Sequence, residues 1–272
     1  DAGTIRPTEH GEVFVGEDGI EADQDLGTYE RFVNQVSTRE YYLTTGQVYQ
    51  EVIKRERNFF YKGEDVEVVP DIPNEIIRRL EVVAKKDKSD FLVVEIGGTV
   101  GEYQNILFLE AARMLKIKRK NDVVFVLVSY LPIPRKLGEI KTKPTQYASR
   151  TLNAAGIQAD FILCRAERPI DEKRRQKLAI FCNIEPEAAI SAPDVDSVYE
   201  VPLNFIKENL DKKILKRFGL SPKQKDLKEW STFVRKVSQL KKSVKIGIVG
   251  KYFGTGEFTL ADSYISVIES LK

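Results

Sequence analysis

The sequence predicts an α/β fold in which an open, mostly parallel sheet carries helices on both faces. Apolar runs of strand length alternate along the chain with stretches of helical periodicity, as in successive βαβ units. Residues 90–96 (DFLVVEI) are nearly all apolar, which is typical of a strand buried on both faces of a parallel sheet. Connections between such parallel strands are expected to be right-handed.

The predicted elements follow one another in a simple order. The chain opens on a loop-rich stretch with one short strand (EVFV), and apolar residues three to four apart over 47–53 then indicate a helix. Alternation in DVEVVP predicts a strand, and Pro73 is acceptable in the first turn of the helix that follows. The predicted strands are 12–15, 65–70, 90–96, 123–130, 161–166, 188–195 and 244–249. The predicted helices are 28–32, 45–57, 72–86, 105–116, 145–155, 171–181, 226–240 and 260–271.

Composition limits the classes of function. The 272 residues include 43 Lys and Arg against 41 Asp and Glu, which gives a net charge of +2. This near-balance offers no whole-chain electrostatic case for binding nucleic acid or an anionic membrane. The longest apolar run, around 123–128, is far shorter than a bilayer-spanning segment, and we find no secretory signal. We therefore expect a soluble, cytoplasmic protein with neither nucleic acid nor membrane as a partner.

Cysteine and histidine are too few for several familiar kinds of site. Cys164 and Cys182 both lie in apolar runs, which favours buried, reduced thiols over a disulfide framework. With His10 as the only histidine, neither a Cys–His zinc site nor a Ser-His-Asp triad can be assembled. The sequence also contains no GxxxxGK[ST] phosphate-binding loop.

Two acidic groups suit a magnesium ion. Glu95 stands at the carboxyl end of a predicted strand, where open α/β sheets bind ligands, and a carboxylate there suits a Mg²⁺–nucleotide site. The alternative is a strand-end glutamate that caps the next helix. In the loop predicted over 23–27 (DQDLG), Asp23 and Asp25 can offer oxygen ligands on one side, but ordinary turn chemistry explains the same residues.

Residues 141–146 (KTKPTQ) place two lysines, two hydroxyls and an amide just before a predicted helix. Pro144 is expected to keep Lys143 out of helical geometry, so that the helix begins at Pro144 or Thr145 with its N–H groups toward any bound anion. Such a set suits a polyphosphate, and a solvated basic loop is the alternative. Lys177 belongs to a run of cations on the helix predicted over 171–181, most of which is typical of a solvated face.

Several strings, taken together, resemble the CTP synthase family, whose members aminate UTP. They are HGEVFV (10–15), DLGTYERF (25–32), VEIGGTVGE (94–102), GEIKTKPTQ (138–146), LAIFCN (178–183) and, near the end, KIGIVGKY and DSYISVIESLK. The strings cover essentially the whole chain in order, and the combination of KTKPTQ with EIGGTVG is highly specific.

The resemblance implies a division of the chain and an activity. It implies a synthetase domain of the P-loop, dethiobiotin-synthetase-like type over 1–219, a linker over 220–243, and the beginning of a class I glutamine amidotransferase domain over 244–272. ATP would phosphorylate the 4-oxygen of UTP, and ammonia from glutamine would displace that phosphate to give CTP. The resemblance further implies feedback inhibition by CTP, activation by GTP, and a homodimer or homotetramer.

The resemblance also implies residue roles. Asp25 and Glu95 correspond to Mg²⁺ ligands, with Asp25 also near ATP, and His10 lies in a segment beside the active site without a settled role. The segment that binds UTP and the inhibitor CTP corresponds to Lys141, Thr142, Lys143, Pro144, Thr145, Gln146 and Lys177. Glu102, Tyr103 and Gln104 stand where the family has an acidic–aliphatic–acidic triplet that contacts the CTP base. This departure puts base selectivity and feedback inhibition in question.

Parts of the family's machinery are expected outside this sequence. The phosphate-binding loop and its lysine would precede Asp1, and the glutaminase Cys, His and Glu would follow Lys272, so the chain alone is expected to be inactive. Two alternatives remain: another ATP-dependent ligase on the same scaffold, such as a carboxylating enzyme of the dethiobiotin type, and a non-catalytic nucleotide sensor or assembly protein. KTKPTQ argues against the first, and the presence of both Asp25 and Glu95 argues against the second.

Overall fold

The computed structural model describes residues 6–222, 227–240, 242–254 and 259–272. They form two compact units: the chain up to Glu95 together with the chain from Val244 onward, and Ile96–Ser243. The described helices are α1 (Pro7–His10), α2 (Gln24–Val33), α3 (Thr45–Arg57), α4 (Val68–Lys86), α5 (Ile106–Lys118), α6 (Lys143–Ala154), α7 (Glu172–Cys182), α8 (Val201–Lys207), α9 (Leu210–Arg217), α10 (Lys228–Ser238) and α11 (Ile265–Leu271). The described strands are β1 (Val13–Val15), β2 (Glu21–Asp23), β3 (Val126–Tyr130), β4 (Phe161–Ala166) and β5 (Ala189–Pro193).

A parallel sheet in the order β3–β4–β5 organises the unit of residues 96–243. Leu127 pairs with Ile162 across the first ladder, and Cys164 pairs with Ser191 across the second. A helix lies between each strand and the next along the chain, as parallel pairing requires. The predicted α/β fold with a parallel sheet is therefore confirmed.

Helices cover both faces of this sheet. Ile162 and Cys164 of β4 are buried in a core that also contains Leu178 of α7. Phe161 of the same strand belongs to a second core, with Leu210 of α9. Successive side chains of a strand point to opposite faces, so the two cores lie on opposite sides of the sheet. The alternation along β4 is thus what allows helices to pack on each side.

The other unit contains an antiparallel hairpin and a pair of packed helices. β1 and β2 form the hairpin, with Val13 opposite Asp23, and α2 follows β2 directly. Thr44 begins α3 with a capping box, in which its hydroxyl accepts from the Gln47 N–H and the Gln47 side chain accepts from the Thr44 N–H. The helix predicted over 45–57 is confirmed with the same bounds.

Three predicted strands are wrong. The strand predicted over 65–70 is replaced by the start of α4, which is kinked at Val69, so that Pro73 stands near the beginning of its regular part. The segments 90–96 and 244–249 are not strands, and Val93 is 93% exposed. A strand forms only where a neighbour supplies the other half of its hydrogen bonds, and neither segment has such a neighbour in the described residues.

The predicted linker contains α10, while residues 223–226 and Lys241 lie outside the described residues. The domain boundaries at 219 and 243 stay a prediction.

None of the helices that the structure describes is both long enough and apolar enough to cross a bilayer.

Helices α3 and α4 are joined through a buried carboxylate. The Glu75 side chain is only 1% exposed, and its oxygens lie 2.7–2.8 Å from guanidinium nitrogens of Arg55, Arg78 and Arg79. Burial alone would raise the pKa of Glu75, but the hydrogen bonds from Arg78 and Arg79 and the charge of Arg55 outweigh it and lower that pKa. Glu75 is therefore ionised and structural at neutral pH.

We expect Glu75→Gln to lower the free energy of unfolding by about 3 kcal/mol at neutral pH, because removing one partner of a buried ionic group leaves the others uncompensated. A lowered folded-state pKa means that the contribution of Glu75 is present above its ordinary value of 4.5 and is lost as the pH falls through the folded-state pKa. The difference between variant and parent should therefore shrink below about pH 4. Urea unfolding followed by circular dichroism across this range measures it.

Glu64→Gln is the matched control, since Glu64 is an exposed carboxylate of the same unit. It should change the free energy of unfolding by less than about 0.5 kcal/mol. Equal effects of the two substitutions would contradict a structural role for Glu75.

Candidate functional site

An acidic group forms where the β1–β2 hairpin leads into α2. Asp23 ends β2 and caps α2, and its side chain accepts a hydrogen bond from the Asp25 N–H at 3.1 Å. The loop predicted over 23–27 is therefore wrong: the segment is a strand end followed by the first turn of a helix. Aspartate is a favoured N-cap, and burial of Leu26 and Gly27 favours the helix.

Close packing fixes this helix against the hairpin. A Cβ on Gly27 would lie 2.6 Å from Cδ2 of the Phe14 ring, closer than carbon atoms can approach. Only glycine lets the helix carrying Asp25 pack so near to β1.

The structure brings Glu95 into the same acidic group. The protein packed around the Asp25 carboxyl, followed by the charge of Asp23 and a hydrogen bond with it, raises the pKa of Asp25. The surrounding protein, followed by the charges of Asp25 and Asp23, raises the pKa of Glu95. Asp25 and Glu95 are nonetheless exposed, so both carboxylates are accessible to a ligand. The sequence analysis named Asp23 with Asp25 as oxygen donors, with an ordinary turn as the alternative, and in the structure the charge of Asp23 acts on both Asp25 and Glu95.

The chemistry of this group fits a magnesium ion. Its donors are carboxylate oxygens, the ligands that Mg²⁺ prefers, and a cation would offset both the burial and the neighbouring negative charge that raise the pKa values of Asp25 and Glu95. In the described ranges no three His, Cys, Asp or Glu side chains form a group that could hold a metal by themselves. A site with fewer than three protein ligands is typical of Mg²⁺ in nucleotide enzymes, where one or two carboxylates bind the ion and water and phosphate oxygens complete its coordination.

The basic segment lies at the start of α6, in the other unit. Contrary to the prediction, Pro144 does not keep Lys143 out of the helix: α6 begins at Lys143, and the preceding Thr142 already has helical dihedral angles. The restriction before proline is a preference, and Pro144 within the first turn gives up no helical hydrogen bond.

Half of the segment is buried and forms internal hydrogen bonds. Thr142, Thr145 and Gln146 are all buried. The Ser129 hydroxyl of β3 donates to the Thr145 hydroxyl at 2.8 Å, and the Gln146 amide donates to the Thr142 hydroxyl at 3.0 Å. These bonds hold the first turn of α6 against the carboxyl end of β3.

The other half of the segment is accessible. Lys143 and Pro144 are exposed, and Lys141 is half-buried and lies 2.9 Å from a carboxylate oxygen of Glu139. Glu139 also pairs with Arg174 of α7 at 3.0 Å, and the hydrogen bond from Lys141 is the main reason that its pKa is lowered. No ion pair involves Lys143 in the part of the chain that the structure describes, so its charge is available to a ligand.

Helix α7 carries a second cation, Lys177, on the face that lies near Lys143. The Lys143 ammonium lies 5.8 Å from the centre of the Phe181 ring, which is 58% exposed. Lys177 stands four residues before Phe181, and residues with this spacing share one face of a helix. The structure therefore brings Lys143 to the face of α7 that carries Lys177.

The turn before α5 carries the residues that depart from the family pattern. Tyr103 is 94% exposed, and Gln104 is exposed beside it. Gly98 has a φ of +84°, and a Cβ there would lie 2.7 Å from a carboxylate oxygen of Glu102. Glu102 thus lies directly over the Gly-Gly turn.

Asn105 holds the same turn, and the sequence analysis did not single it out as a candidate residue. Its amide donates to the carbonyls of Gly97 and Thr99 at 3.2 and 2.9 Å, while its own carbonyl oxygen is buried without a partner among the described residues. The available signal was an asparagine immediately before a helix, but that position predicts a cap on α5, and the structure gives it no such bond. Asn105 instead holds the turn that precedes Glu102.

The cysteines and the histidine take no part in these groups. Cys164 and Cys182 are buried, and burial raises the pKa of the Cys164 thiol to about 12, so the interpretation as buried, reduced thiols is confirmed. His10 ends α1 and is exposed.

Comparison with known proteins agrees with these features. The family model for the CTP synthase N-terminus matches residues 1–220. CTP synthase of Pyrococcus abyssi is 48% identical over 273 residues, covering 100% of this chain and 50% of the relative. The enzymes of Methanocaldococcus jannaschii and Prochlorococcus marinus are 46% and 45% identical, again over 100% of this chain and over 49% and 48% of their own lengths. The chain thus spans about half the length of these relatives, and a match of this identity along all of it means that the chain belongs to the CTP synthase family.

Proposed function

We propose that the protein to which this chain belongs makes CTP from UTP, ATP and ammonia released from glutamine. The observation that carries the proposal is the start of α6, where the exposed Lys143 stands on a buried, hydrogen-bonded turn and beside the face of α7 that bears Lys177. Fixed cations at a helix N-terminus suit the triphosphate of a nucleotide.

The residues of this segment take two kinds of role in the proposal. Lys141, Lys143 and Lys177 neutralise the triphosphate of UTP, or of CTP as the feedback inhibitor. The first turn, with its N–H groups and Lys143, is held in position by Thr142, Pro144, Thr145 and Gln146. Glu102, Tyr103 and Gln104 are proposed to contact the base of bound CTP.

The proposed reaction has two steps, a phosphoryl transfer and a displacement. The terminal phosphoryl group of ATP passes to the 4-oxygen of UTP, which converts a poor leaving group into a good one and leaves ADP. Ammonia then attacks the 4-carbon, and inorganic phosphate departs to give CTP.

Asp25 and Glu95 are the proposed holders of Mg²⁺, with Asp25 also near ATP. Mg²⁺ bound there would supply charge neutralisation and polarisation of phosphoryl oxygens. The pair contributes oxygen donors that no described ion pair occupies, and the charge of Asp25, after the burial of Glu95 itself, raises the pKa of Glu95.

The organisation of the whole protein follows from the same proposal. Residues 1–219 would be the synthetase domain, 220–243 the linker and 244–272 the beginning of the glutamine amidotransferase domain. GTP would act as an activator, and the assembly would be a homodimer or homotetramer. The chain alone would be inactive.

The direct test is an assay of the full-length protein for CTP formation from UTP and ATP, first with ammonia and then with glutamine. A thermal-shift panel of UTP, CTP and diaminopelargonate accompanies it. Stabilisation by diaminopelargonate alone would indicate the carboxylating ligase, and stabilisation by UTP without CTP formation would indicate a nucleotide sensor. Either result would overturn the proposal.

We expect Lys143→Met to raise the KM for UTP about 10- to 100-fold, because a hydrogen bond to a charged group contributes about 1.5–3 kcal/mol. Methionine keeps much of the apolar stem of lysine without its ammonium group, so the loss reports on the charge. Steady-state kinetics of the full-length enzyme with ammonia as nitrogen donor measures it.

Lys173→Met is the matched control for this substitution, since Lys173 is an exposed lysine of the same cationic run on α7. Its KM for UTP should stay within about twofold of the parent. A similar change in both variants would mean that Lys143 acts only through the general charge of the surface.

We expect Asp25→Asn and Glu95→Gln each to lower kcat by at least about 100-fold while leaving the metal-free protein as stable as the parent or slightly more so. Removing one carboxylate relieves the repulsion between them, so Tm without Mg²⁺ should not fall. The increase in Tm that Mg²⁺ produces in the parent should be lost. Differential scanning calorimetry with and without Mg²⁺ measures this separately from activity.

Glu17→Gln serves as the control, because Glu17 is an exposed carboxylate of the same unit. It should keep both activity and the Mg²⁺-dependent rise in Tm. If either variant of the acidic pair also keeps that rise, the assignment of the magnesium ligands is wrong.

A further inference from the structure

Two segments about 250 residues apart are bonded to each other within one unit. The Glu12 N–H donates to the Asp262 carbonyl at 2.8 Å, and a Glu12 carboxylate oxygen accepts from the Ser266 N–H at 2.9 Å. The buried Ser263 hydroxyl lies 3.0 Å from the Pro7 carbonyl and 3.1 Å from that of Tyr252. Residues 7–12 and 262–266 thus share backbone and side-chain bonds, which we call the 7–12/262–266 contact.

The geometry of Gly11 shows how closely the two segments approach. Gly11 has a φ of +85°, which favours glycine, and a Cβ there would lie 3.2 Å from the Cβ of Asp262. A larger residue would have to adopt a strained backbone and move the other segment outward. Close approach is therefore built into the sequence at this point.

Glu12 has a specific part in the contact. Ser266 is the second residue of α11, and the first N–H groups of a helix have no partner within the helix. The Glu12 carboxylate supplies that partner from a segment 254 residues away. Because the helix dipole favours an anion at this end, the carboxylate suits the position electrostatically as well.

We propose that the 7–12/262–266 contact sets the position of the glutaminase part on the synthetase part, with Glu12 as its positioning residue. The inference rests on the proposed function, in which residues 7–12 belong to the synthetase domain and 262–266 to the first βα unit of the glutaminase domain. Ammonia made in one domain is useful only if the other is held in a fixed position beside it. In this role Glu12 acts on the use of glutamine through the Ser266 end of the contact.

The first readout is hydrogen exchange at the Ser266 amide in the full-length protein. In Glu12→Ala this amide should exchange at least about tenfold faster than in the parent, because its acceptor is gone. Glu12→Gln keeps an amide oxygen at the same place and should restore most of the protection. Glu9→Ala is the control, since Glu9 is an exposed carboxylate of the same segment that pairs with the nearby Arg6. Unchanged exchange in Glu12→Ala would overturn the contact itself.

The second readout is the ratio of glutamine-dependent to ammonia-dependent CTP formation. Glu12→Ala should lower this ratio at least about fivefold, with the ammonia-dependent rate within about twofold of the parent, and Glu9→Ala should leave the ratio unchanged. A ratio equal to that of the parent, or an equal fall of both rates, would overturn the positioning role. Absence of ammonia-dependent CTP formation in the parent would instead contradict the proposed function, and the exchange experiment would still decide the contact.

Discussion

Strand β4 forms parallel ladders with β3 on one side and β5 on the other, and the basic segment depends on this arrangement. The register brings the carboxyl end of β3 to the edge where Ser129 can bond Thr145. That bond holds the first turn of α6 and thereby positions Lys143. The helices on both faces of the sheet exist because alternate residues of β4 enter two different cores. A displacement of β4 would therefore move Lys143 as well as the side chains of both cores.

The basic segment divides its residues between support and contact. Its hydroxyls and amide are buried, with the Gln146 amide bonded to the Thr142 hydroxyl and the Thr145 hydroxyl bonded to Ser129, while its lysines remain accessible. The order Lys-Thr-Lys-Pro-Thr-Gln produces this division, because in the first turn of a helix neighbouring residues point in different directions. A sequence reading that counts polar groups cannot separate the two kinds, since both are polar. The burial pattern separates them, and it leaves charge as the property that the segment offers to a ligand.

Local patterns predicted the elements whose stability is largely local. Helix α3 was predicted with its observed bounds because its apolar residues recur three to four apart, and β4 was predicted because its run is mostly apolar. The segments 90–96 and 244–249 have equally strong apolar patterns but lack neighbouring strands among the described residues. The sequence of a segment does not by itself determine which strand it pairs with. For the same reason the sequence did not predict Asn105 or the bond between Glu12 and Ser266. Their partners are brought close only by the folded chain.

Two groups of carboxylates in one unit show how environment separates structure from function. Glu75 is buried among three arginines, which lower its pKa, so its charge is matched and its contribution is to the packing of α3 on α4. Asp25 and Glu95 are accessible to solvent, but the protein around each carboxyl and then its acidic neighbours raise the pKa of each, and no cation of the described chain pairs with either. A protein tolerates such unmatched repulsion where a ligand removes it, because folding alone gains nothing from it. The opposite directions of the pKa shifts therefore support the proposal that Asp25 and Glu95, and not the more deeply buried Glu75, hold a cation.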